Sequence, residues 1–268
     1  MVSFRGASAD GYAAVADRVG AVPQAEAAAT ADDLFAAAQT LRGEGTLRRF
    51  ATDQSVASEA RQGVVRDVFS GKVGAGALDV LGVAASRRWT RSRDLADALE
   101  QAGVIAAVRS AGEEVDRLVD ELFAVRRTVT EHSDLRNALS DPVRSNADKS
   151  ALVSGLLSGK ALDATVQLVR QAISGSHRTI VVALEEYESV AADVRGQGVA
   201  TVHVAAPLSE ADEQRLASAL SSQYGRPVHL NVVVDPAVLG GIRVEIGDDV
   251  IDGTVASRLD DARRKIAG

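Results

Sequence analysis

The chain has 268 residues, of which 46% are hydrophobic, 25% charged and only 3% aromatic, the composition of a globular protein long enough to bury sizeable cores. The net charge of −7 opposes a general role in binding nucleic acid, because phosphate neutralisation needs clustered lysine and arginine. The absence of cysteine excludes disulfides and thiolate metal sites, and no run of residues approaches the roughly 18 apolar residues of a membrane helix, so no direct membrane insertion is expected.

The first 195 or so residues are predicted to be helical, because apolar residues recur at the spacing of amphipathic helices. Along the opening helix, Tyr12, Val15 and Val19 share one face, which either packs in a core or contacts a partner. The later apolar stripes comprise Val115, Leu118, Leu122, Val125 and Val129, then Leu162, Val166, Val169 and Ile173, and then Ile180, Leu184, Tyr187, Ala191 and Val194.

An internal repeat runs through this helical region, with matching residues 88 positions apart. Each match alone means little, but their constant order indicates a duplicated helical unit. We therefore predict a first helical unit over residues 1–112 and a second over residues 113–196. The matched residues are Leu34 with Leu122, Thr40 with Thr128, Arg48 with Arg136, Asp53 with Asp141, Gly71 with Gly159 and, with three residues fewer in the second copy, Arg93 with Arg178.

From residue 197 the periodicity becomes that of a small α/β module with a short sheet, predicted over residues 197–268. Ser209, with Asp212 three residues later, has the pattern of a helix N-cap, and Gly225 is placed to end that helix. A last helix is predicted after Gly253. The predicted strands lie at 199–204, 228–234, 242–246 and 250–251, and the predicted buried face of the first helix consists of Leu216, Ala219, Leu220 and Tyr224.

One stretch of this module resembles a known family. Residues 228–247 read VHLNVVVDPAVLGGIRVEIG and are followed by DDVIDGTV, which is similar to the signature of the delta subunit of bacterial F-type ATP synthases. The resemblance covers residues 113–268, and the extra length equals one copy of the repeat, as in the long actinobacterial form of the family. The signature positions, for which we predict structural roles, are Asp235, Gly240, Gly241, Gly247, Asp252 and Gly253.

The resemblance implies a mechanical function. Such a subunit joins the catalytic head to the peripheral stalk: its helical domain binds the N-terminal segments of alpha subunits, and its C-terminal part meets the C-terminal end of the b subunit. It implies a non-catalytic subunit without a cofactor, attached peripherally to the cytoplasmic side of the cell membrane, that couples rotor torque to ATP synthesis.

Two alternatives come from other classes of protein. An enzyme would use the α/β module to bind a ligand and would need a polar pocket with converging titratable groups, for which the sequence offers no catalytic, cofactor-binding or metal-ligating set. A free-standing helical-repeat scaffold unrelated to ATP synthase would lack the Gly240-Gly241 signature. We therefore prefer the stator subunit.

Apparent ligand motifs have ordinary structural explanations. The segment from Gly155 to Lys160 has three residues between its glycines and no preceding strand, so it is predicted to end a helix rather than to bind phosphate. Asp235, Asp248, Asp249 and Asp252 lack the spacing of an EF-hand. The histidines show no paired metal-ligand spacing.

An arginine-rich segment surrounds the only tryptophan. Arg87, Arg88, Arg91 and Arg93 flank Trp89, whereas the second copy has only His177 and Arg178 at the corresponding place. The segment is either a solvated loop or a docking site for an acidic partner helix, since tryptophan and arginine are favoured interface anchors. Together with the face of the opening helix, it supplies the candidate partner contacts Tyr12, Val15, Val19, Arg87, Arg88 and Trp89.

Overall fold

The computed structural model of the chain describes residues 4–196, 198–235, 238, 240–246 and 249–255. The chain divides into two compact units, Met1–Ala191 and Ala192–Gly268. Each unit has its own cluster of buried apolar side chains. The predicted fold class, helical bundles followed by a small α/β module, is confirmed.

The first part of the helical unit is built around a long, alanine-rich helix. The helices are α1 (Ala7–Gly20), α2 (Gln24–Gly43), α3 (Gly45–Thr52), α4 (Ser58–Phe69), α5 (Ala75–Ser86) and α6 (Ser92–Ser110). Helix α6 is buried on nearly all sides, which its small side chains permit. It packs most extensively on α2, where Gly103 leaves room for the ring of Phe35, because a Cβ at that position would overlap the ring.

The second part begins with a short 3-10 turn, Gly112–Glu114. The helices that follow are α7 (Val115–Glu131), α8 (Ser133–Ser140), α9 (Asn146–Leu157), α10 (Asp163–Ser174) and α11 (Ile180–Val194). Ser145 caps α9 by accepting a hydrogen bond from the backbone N–H of Asp148 at 3.1 Å. Gly159, just after α9, has a φ of 72°, so this segment ends a helix as predicted.

The helix bounds reproduce the sequence repeat. Helices α8, α9 and α10 begin and end 88 residues after α3, α4 and α5, and α7 ends 88 residues after α2. Gly71 and Gly159, one shift apart, have φ values of 71° and 72°. We call α1–α6 the first copy and α7–α11 the second copy. When 88 is added to the residue numbers of α1, the resulting range lies inside α6. Helix α6 therefore also has the position of an opening helix for the second copy.

The boundary that we predicted at residues 112 and 113 stays a prediction. Both copies lie within one compact unit, and their buried side chains form one continuous apolar cluster. The α/β unit begins at Ala192, close to the predicted position 197.

The second unit contains a mixed sheet in the order β2-β1-β3-β4. Its strands are β1 (Gly198–Val204), β2 (Val228–Val234), β3 (Ile242–Ile246) and β4 (Asp249–Asp252), and α12 (Glu210–Tyr224) connects the parallel pair β1 and β2. Strands β1 and β3 pair antiparallel, as do β3 and β4. Buried and half-buried residues alternate along β1, so Ala200, Val202 and Val204 face the core.

Helix α12 begins and ends as the sequence predicts. The Ser209 hydroxyl accepts a hydrogen bond from the Asp212 N–H at 3.2 Å, and Gly225 follows the helix with a φ of 67°. The predicted buried face is right for Leu216, Leu220 and Tyr224 but wrong for Ala219, which is exposed because the buried stripe turns toward Ala217 and Ser221. The last predicted helix lies outside the described residues from position 256 onward.

Candidate partner-docking groove

An apolar groove of about 580 Å³ opens on the second copy. Helices α7, α8 and α9 supply most of its walls, and Val169 of α10 and Ile180 of α11 close its base. Leu156 stands at its mouth with 46% of its surface exposed. Polar lining groups come from Thr128, His132 and Asp134, and the apolar lining comprises Ala124, Val125, Val129, Leu135, Leu139, Val153, Leu156, Leu157, Val169 and Ile180.

Side-chain burial differs at the corresponding positions of the first copy. Phe69 is buried where the second copy has the smaller, half-buried Leu157, and Ala37 is buried where the second copy has the half-buried Val125. Val68 is half-buried, whereas its counterpart Leu156 is exposed. The grooved region of the second copy therefore differs from the first copy by the smaller, half-buried Leu157 in place of the buried Phe69 and by the exposure of Leu156.

A buried arginine joins the α3–α4 connection to the end of α5 in the first copy. Arg61, only 3% exposed, donates hydrogen bonds to the carbonyl oxygens of Asp53 and Val56 in the α3–α4 connection, both at 2.9 Å. It also donates to Ala85 and Ser86 at the end of α5, at 3.0 and 3.1 Å. The second copy has Lys149 at this position, and a single ammonium group cannot reproduce the planar fork of a guanidinium.

A buried carboxylate joins the two copies. Glu100 of α6 forms an ion pair with Arg42 of α2 and accepts hydrogen bonds from Gln171 Nε2 at 2.8 Å and from the N–H of Ser176 at 3.1 Å. Burial raises the pKa of Glu100, but the charge of Arg42 and the hydrogen bonds from Ser176 and Gln171 outweigh burial, so its pKa lies below the ordinary value. Glu100 is therefore an ionised contact between α2, α6 and the α10–α11 connection.

A histidine–glutamate pair lies beside Glu100. His177 Nε2 is 3.2 Å from Glu186 Oε2, and Gln101 of α6 donates to the other oxygen of Glu186. The hydrogen bond to Glu186 raises the pKa of His177 above its ordinary value, although burial acts in the opposite direction. The ring of Tyr187 meets His177 edge-on, with 5.6 Å between the ring centroids. Through Gln101, this pair attaches α11 and the segment before it to α6.

The predicted contact face of the opening helix is largely inside the core. Val15 and Val19 are fully buried, and Tyr12 is half-buried and stacks on Phe4 with ring centroids 4.7 Å apart. A role for these three residues in contacting a partner stays a prediction. In this structure their side chains hold α1 in the first copy.

In the predicted arginine–tryptophan segment, the tryptophan is buried and the arginines are exposed. Trp89 is 7% exposed and donates its indole N–H to the Ala84 carbonyl oxygen at 2.9 Å, so its ring belongs to the core. Arg87 and Arg88 are exposed. Partner contact at this segment stays a prediction, and the burial of Trp89 leaves the arginines as the groups that can make it.

Four of the signature residues, Gly240, Gly241, Asp252 and Gly253, lie around one backbone crossing of the α/β unit. Gly240 and Gly241 have φ values of 121° and 83°, and a Cβ on Gly241 would overlap the carbonyl oxygen of Gly253. The N–H of Gly253 donates to Ile242 O at 2.9 Å, and Asp252 Oδ1 accepts from the Thr254 N–H at 2.9 Å. The N–H of Asp235 donates to Val204 O at 2.8 Å, and Gly247 lies outside the described residues.

Hydrophobic spacing alone does not predict the groove. The predicted apolar stripes include Val125 and Val129 of the lining, whereas Leu139 and Leu156 belong to no predicted stripe. The repeat contained the signal, because the shift of 88 places Phe69 on Leu157 and Arg61 on Lys149, two losses of packing or bonding capacity. Within the described residues, no cluster of histidine and carboxylate side chains could hold a metal ion, and no helix is long and apolar enough to span a membrane.

Paired helical copies, the second with an open apolar groove, indicate a helical docking protein. Comparison with known proteins is more specific. A family model described as ATP synthase delta (OSCP) subunit matches residues 102–266. The match begins inside α6, so helices α1–α5 lie before the part of the chain that the family model covers.

Full-length relatives match this part of the chain as well. The ATP synthase subunit delta of Nocardioides sp. is 56% identical over 271 residues, which cover 100% of this chain and 98% of the relative. That of Kineococcus radiotolerans is 44% identical over 91% of this chain and 90% of the relative. That of Streptomyces coelicolor is 40% identical over 100% of both chains. The chain belongs to the ATP synthase delta (OSCP) subunit family, so the resemblance is confirmed and an unrelated free-standing scaffold is not supported.

Proposed function

We propose that the chain is the non-catalytic connector of the peripheral stalk, bound to the rest of ATP synthase on the cytoplasmic side of the cell membrane. Its helical unit holds an N-terminal segment of an alpha subunit, and its α/β unit holds the C-terminal end of the b subunit. The connector prevents the catalytic head from turning with the rotor, and the cofactors and catalytic groups belong to other subunits.

The observation that carries this proposal is the apolar groove on the second copy. An amphipathic helix laid in such a groove buries its apolar stripe and keeps its polar face in water. The polar groups of the groove, Thr128, His132 and Asp134, lie among its lining and can orient a helix without filling the apolar part. We assign this groove to the alpha-subunit segment, because family membership supplies a partner of that kind.

Exposed apolar side chains on the sheet support a partner for the α/β unit. Val250 and Ile251 of β4 and Val234 at the end of β2 are exposed, and these two strands form the edges of the described sheet. Exposed apolar residues at a sheet edge are usually covered in the assembled protein. We assign the exposed edge at β4 to the end of the b subunit.

The groove is tested with a single exposed leucine. We expect Leu156→Glu to weaken binding of a synthetic alpha-subunit N-terminal peptide at least tenfold, because it places a charge at the mouth of an apolar groove. Val182→Glu is the matched control, since Val182 is 47% exposed on α11 and does not line the groove. Equal peptide affinity for both variants, measured by fluorescence anisotropy, would remove the groove from the proposal.

The connector role is tested in membranes. Vesicles depleted of this chain are expected to hydrolyse ATP at the normal rate but to pump no protons, because the head then turns with the rotor. Adding back the wild-type chain should restore pumping, and adding back Leu156→Glu should restore less of it. Full pumping by the depleted vesicles would overturn the proposed function.

A further inference from the structure

A group of exposed arginines lies at the end of α5 and the start of α6, away from the lining of the groove. Four of them lie between residues 87 and 93, and the fifth joins them because its carbonyl oxygen accepts a hydrogen bond from Thr90 Oγ1 at 3.1 Å. All five side chains are exposed, and none forms an ion pair with another described residue. This arginine loop consists of Arg5, Arg87, Arg88, Arg91 and Arg93.

Contacts with α1 and α6 fix the backbone of the arginine loop. Trp89 inserts into the core beside Gly11, where a Cβ would be 3.2 Å from the indole ring. The N–H of Thr90 donates to Ser8 Oγ at 2.8 Å, and Ser8 Oγ donates to Asp94 Oδ2 at 2.7 Å. Asp94 also accepts from the N–H of Arg91 at 3.2 Å. The guanidinium groups therefore extend from an ordered platform, which lowers the entropy lost when a partner binds.

These charges do not serve the fold. Arg91 and Arg93 lie at the N-terminal end of α6, where the helix dipole disfavours positive charge. The carboxylate of Asp94 already accepts hydrogen bonds from Ser8 and from the backbone of Arg91, and, among the described residues, it forms no ion pair with these arginines. The second copy has Gly175, Ser176 and Thr179 at the positions 88 residues after Arg87, Arg88 and Arg91, and Arg178 is its only arginine in this segment. Charges that are unfavourable for the local helix and bring no structural gain are typical of functional surfaces.

We infer that the arginine loop is a second docking surface, which binds an acidic polypeptide segment of a partner subunit. Guanidinium groups pair with carboxylates in a planar, two-pronged geometry that lysine cannot make, and every cation of this loop is an arginine. A membrane surface is disfavoured because Trp89 is buried and the whole chain carries a net charge of −7. The inference goes beyond the groove, since it concerns another face and another partner chemistry.

The test uses the full-length chain and a fluorescent peptide of ten glutamates. We expect salt-sensitive binding that is at least tenfold weaker for the double variant Arg87→Glu/Arg88→Glu. The control Arg49→Glu/Arg66→Glu changes the net charge equally, at exposed arginines of α3 and α4, and should bind nearly as the wild type does. Circular dichroism spectra that match the wild type establish that both double variants are folded.

Two further comparisons separate the alternatives. The groove variant Leu156→Glu should keep its affinity for the glutamate peptide, so the docking surface and the proposed function can fail independently. Vesicles of phosphatidylglycerol and phosphatidylcholine should not bind the wild-type chain. Equal losses in the two double variants, or tighter binding to the vesicles than to the peptide, would overturn the inference.

Discussion

A buried guanidinium of the first copy is replaced by an ammonium group in the second. Arg61 bonds four carbonyl oxygens at the ends of α3 and α5, where Lys149 stands in the second copy. We expect Arg61→Lys to lower the free energy of unfolding by about 2 to 3 kcal/mol, because hydrogen bonds from a charged donor are lost around buried carbonyls. Lys149→Arg is the matched exchange and should cost less than about 1 kcal/mol. Urea unfolding measures both, and equal effects would contradict this account.

A buried hydroxyl is expected to cost stability. Tyr187 is fully buried, and its hydroxyl has no hydrogen-bond partner among the described residues; burial raises its pKa well above the ordinary value. We expect Tyr187→Phe to leave stability unchanged or to raise it by about 1 kcal/mol, since the desolvation penalty of an unpaired hydroxyl disappears. Tyr224→Phe, which loses an exposed hydrogen bond to Asp249, should give no gain. A loss of more than about 1 kcal/mol in Tyr187→Phe would reveal a partner for the hydroxyl.

At the level of helices, the contact between α6 and α11 should depend on pH. The groups that face His177 are Glu186 and Tyr187 of α11, Glu100 of α6 and Arg42 of α2. Because the folded state raises the pKa of His177, its contribution to stability is full below the ordinary value near 6.5 and is lost as the pH rises through the folded value. We expect His177→Gln to remove this loss, measured by urea unfolding between pH 5.5 and 8.5. Parallel pH profiles for variant and wild type would refute the coupling.

The carboxylate of Glu100 acts in a different pH range. Its pKa is lowered in the folded state, so its contribution is present above the ordinary value near 4.5 and is lost as the pH falls through the folded value. His177→Gln should therefore leave the acid limb of the stability profile unchanged. Glu100→Gln should flatten that limb and lower stability at neutral pH.

The repeat was readable in the sequence because the matched residues form equivalent bonds. Thr40 and Thr128 donate to carbonyls one turn earlier, at 2.9 and 2.8 Å. Arg48 and Arg136 each donate to the carbonyl six residues earlier, at 2.8 and 2.9 Å. These local bonds depend on residue type, so a low-identity repeat still retains them. The groove could not be predicted in the same way, because it depends on side-chain volume summed over five helices.

The predicted apolar stripe matches the buried face of α11 better than that of α10. Ile180, Leu184, Tyr187 and Ala191 are buried, because α11 presents one face to the core, but Val194 of the same predicted stripe is 38% exposed. On α10 the buried face is centred instead on Thr165, Leu168 and Ala172, with Val169 the only predicted residue fully inside it. Thr165 is buried because its hydroxyl donates to Glu121 at 2.5 Å, a long-range contact that hydrophobic spacing alone cannot show.

At the scale of the whole molecule, two units with separate cores should unfold separately. The glycine crossing of the α/β unit offers a selective way to test this. Gly241 has a φ of 83°, and a Cβ there would overlap the backbone of Gly253 and Thr254. Gly225, in the same unit, has a similar left-handed φ of 67°, but a Cβ there would meet no atom within 4 Å. The two glycines therefore separate backbone strain from steric overlap.

We expect Gly241→Ala to destabilise the α/β unit by about 3 kcal/mol or more, because strain and overlap add, and Gly225→Ala by about 1 kcal/mol from strain alone. Hydrogen exchange resolved along the chain should show faster exchange in β1–β4 for Gly241→Ala and unchanged protection in α1–α10. Such a variant would still carry the apolar groove and the arginine loop, so it should bind the alpha-subunit peptide and the glutamate peptide as the wild type does. Loss of protection in the helical unit would mean that the two cores unfold as one.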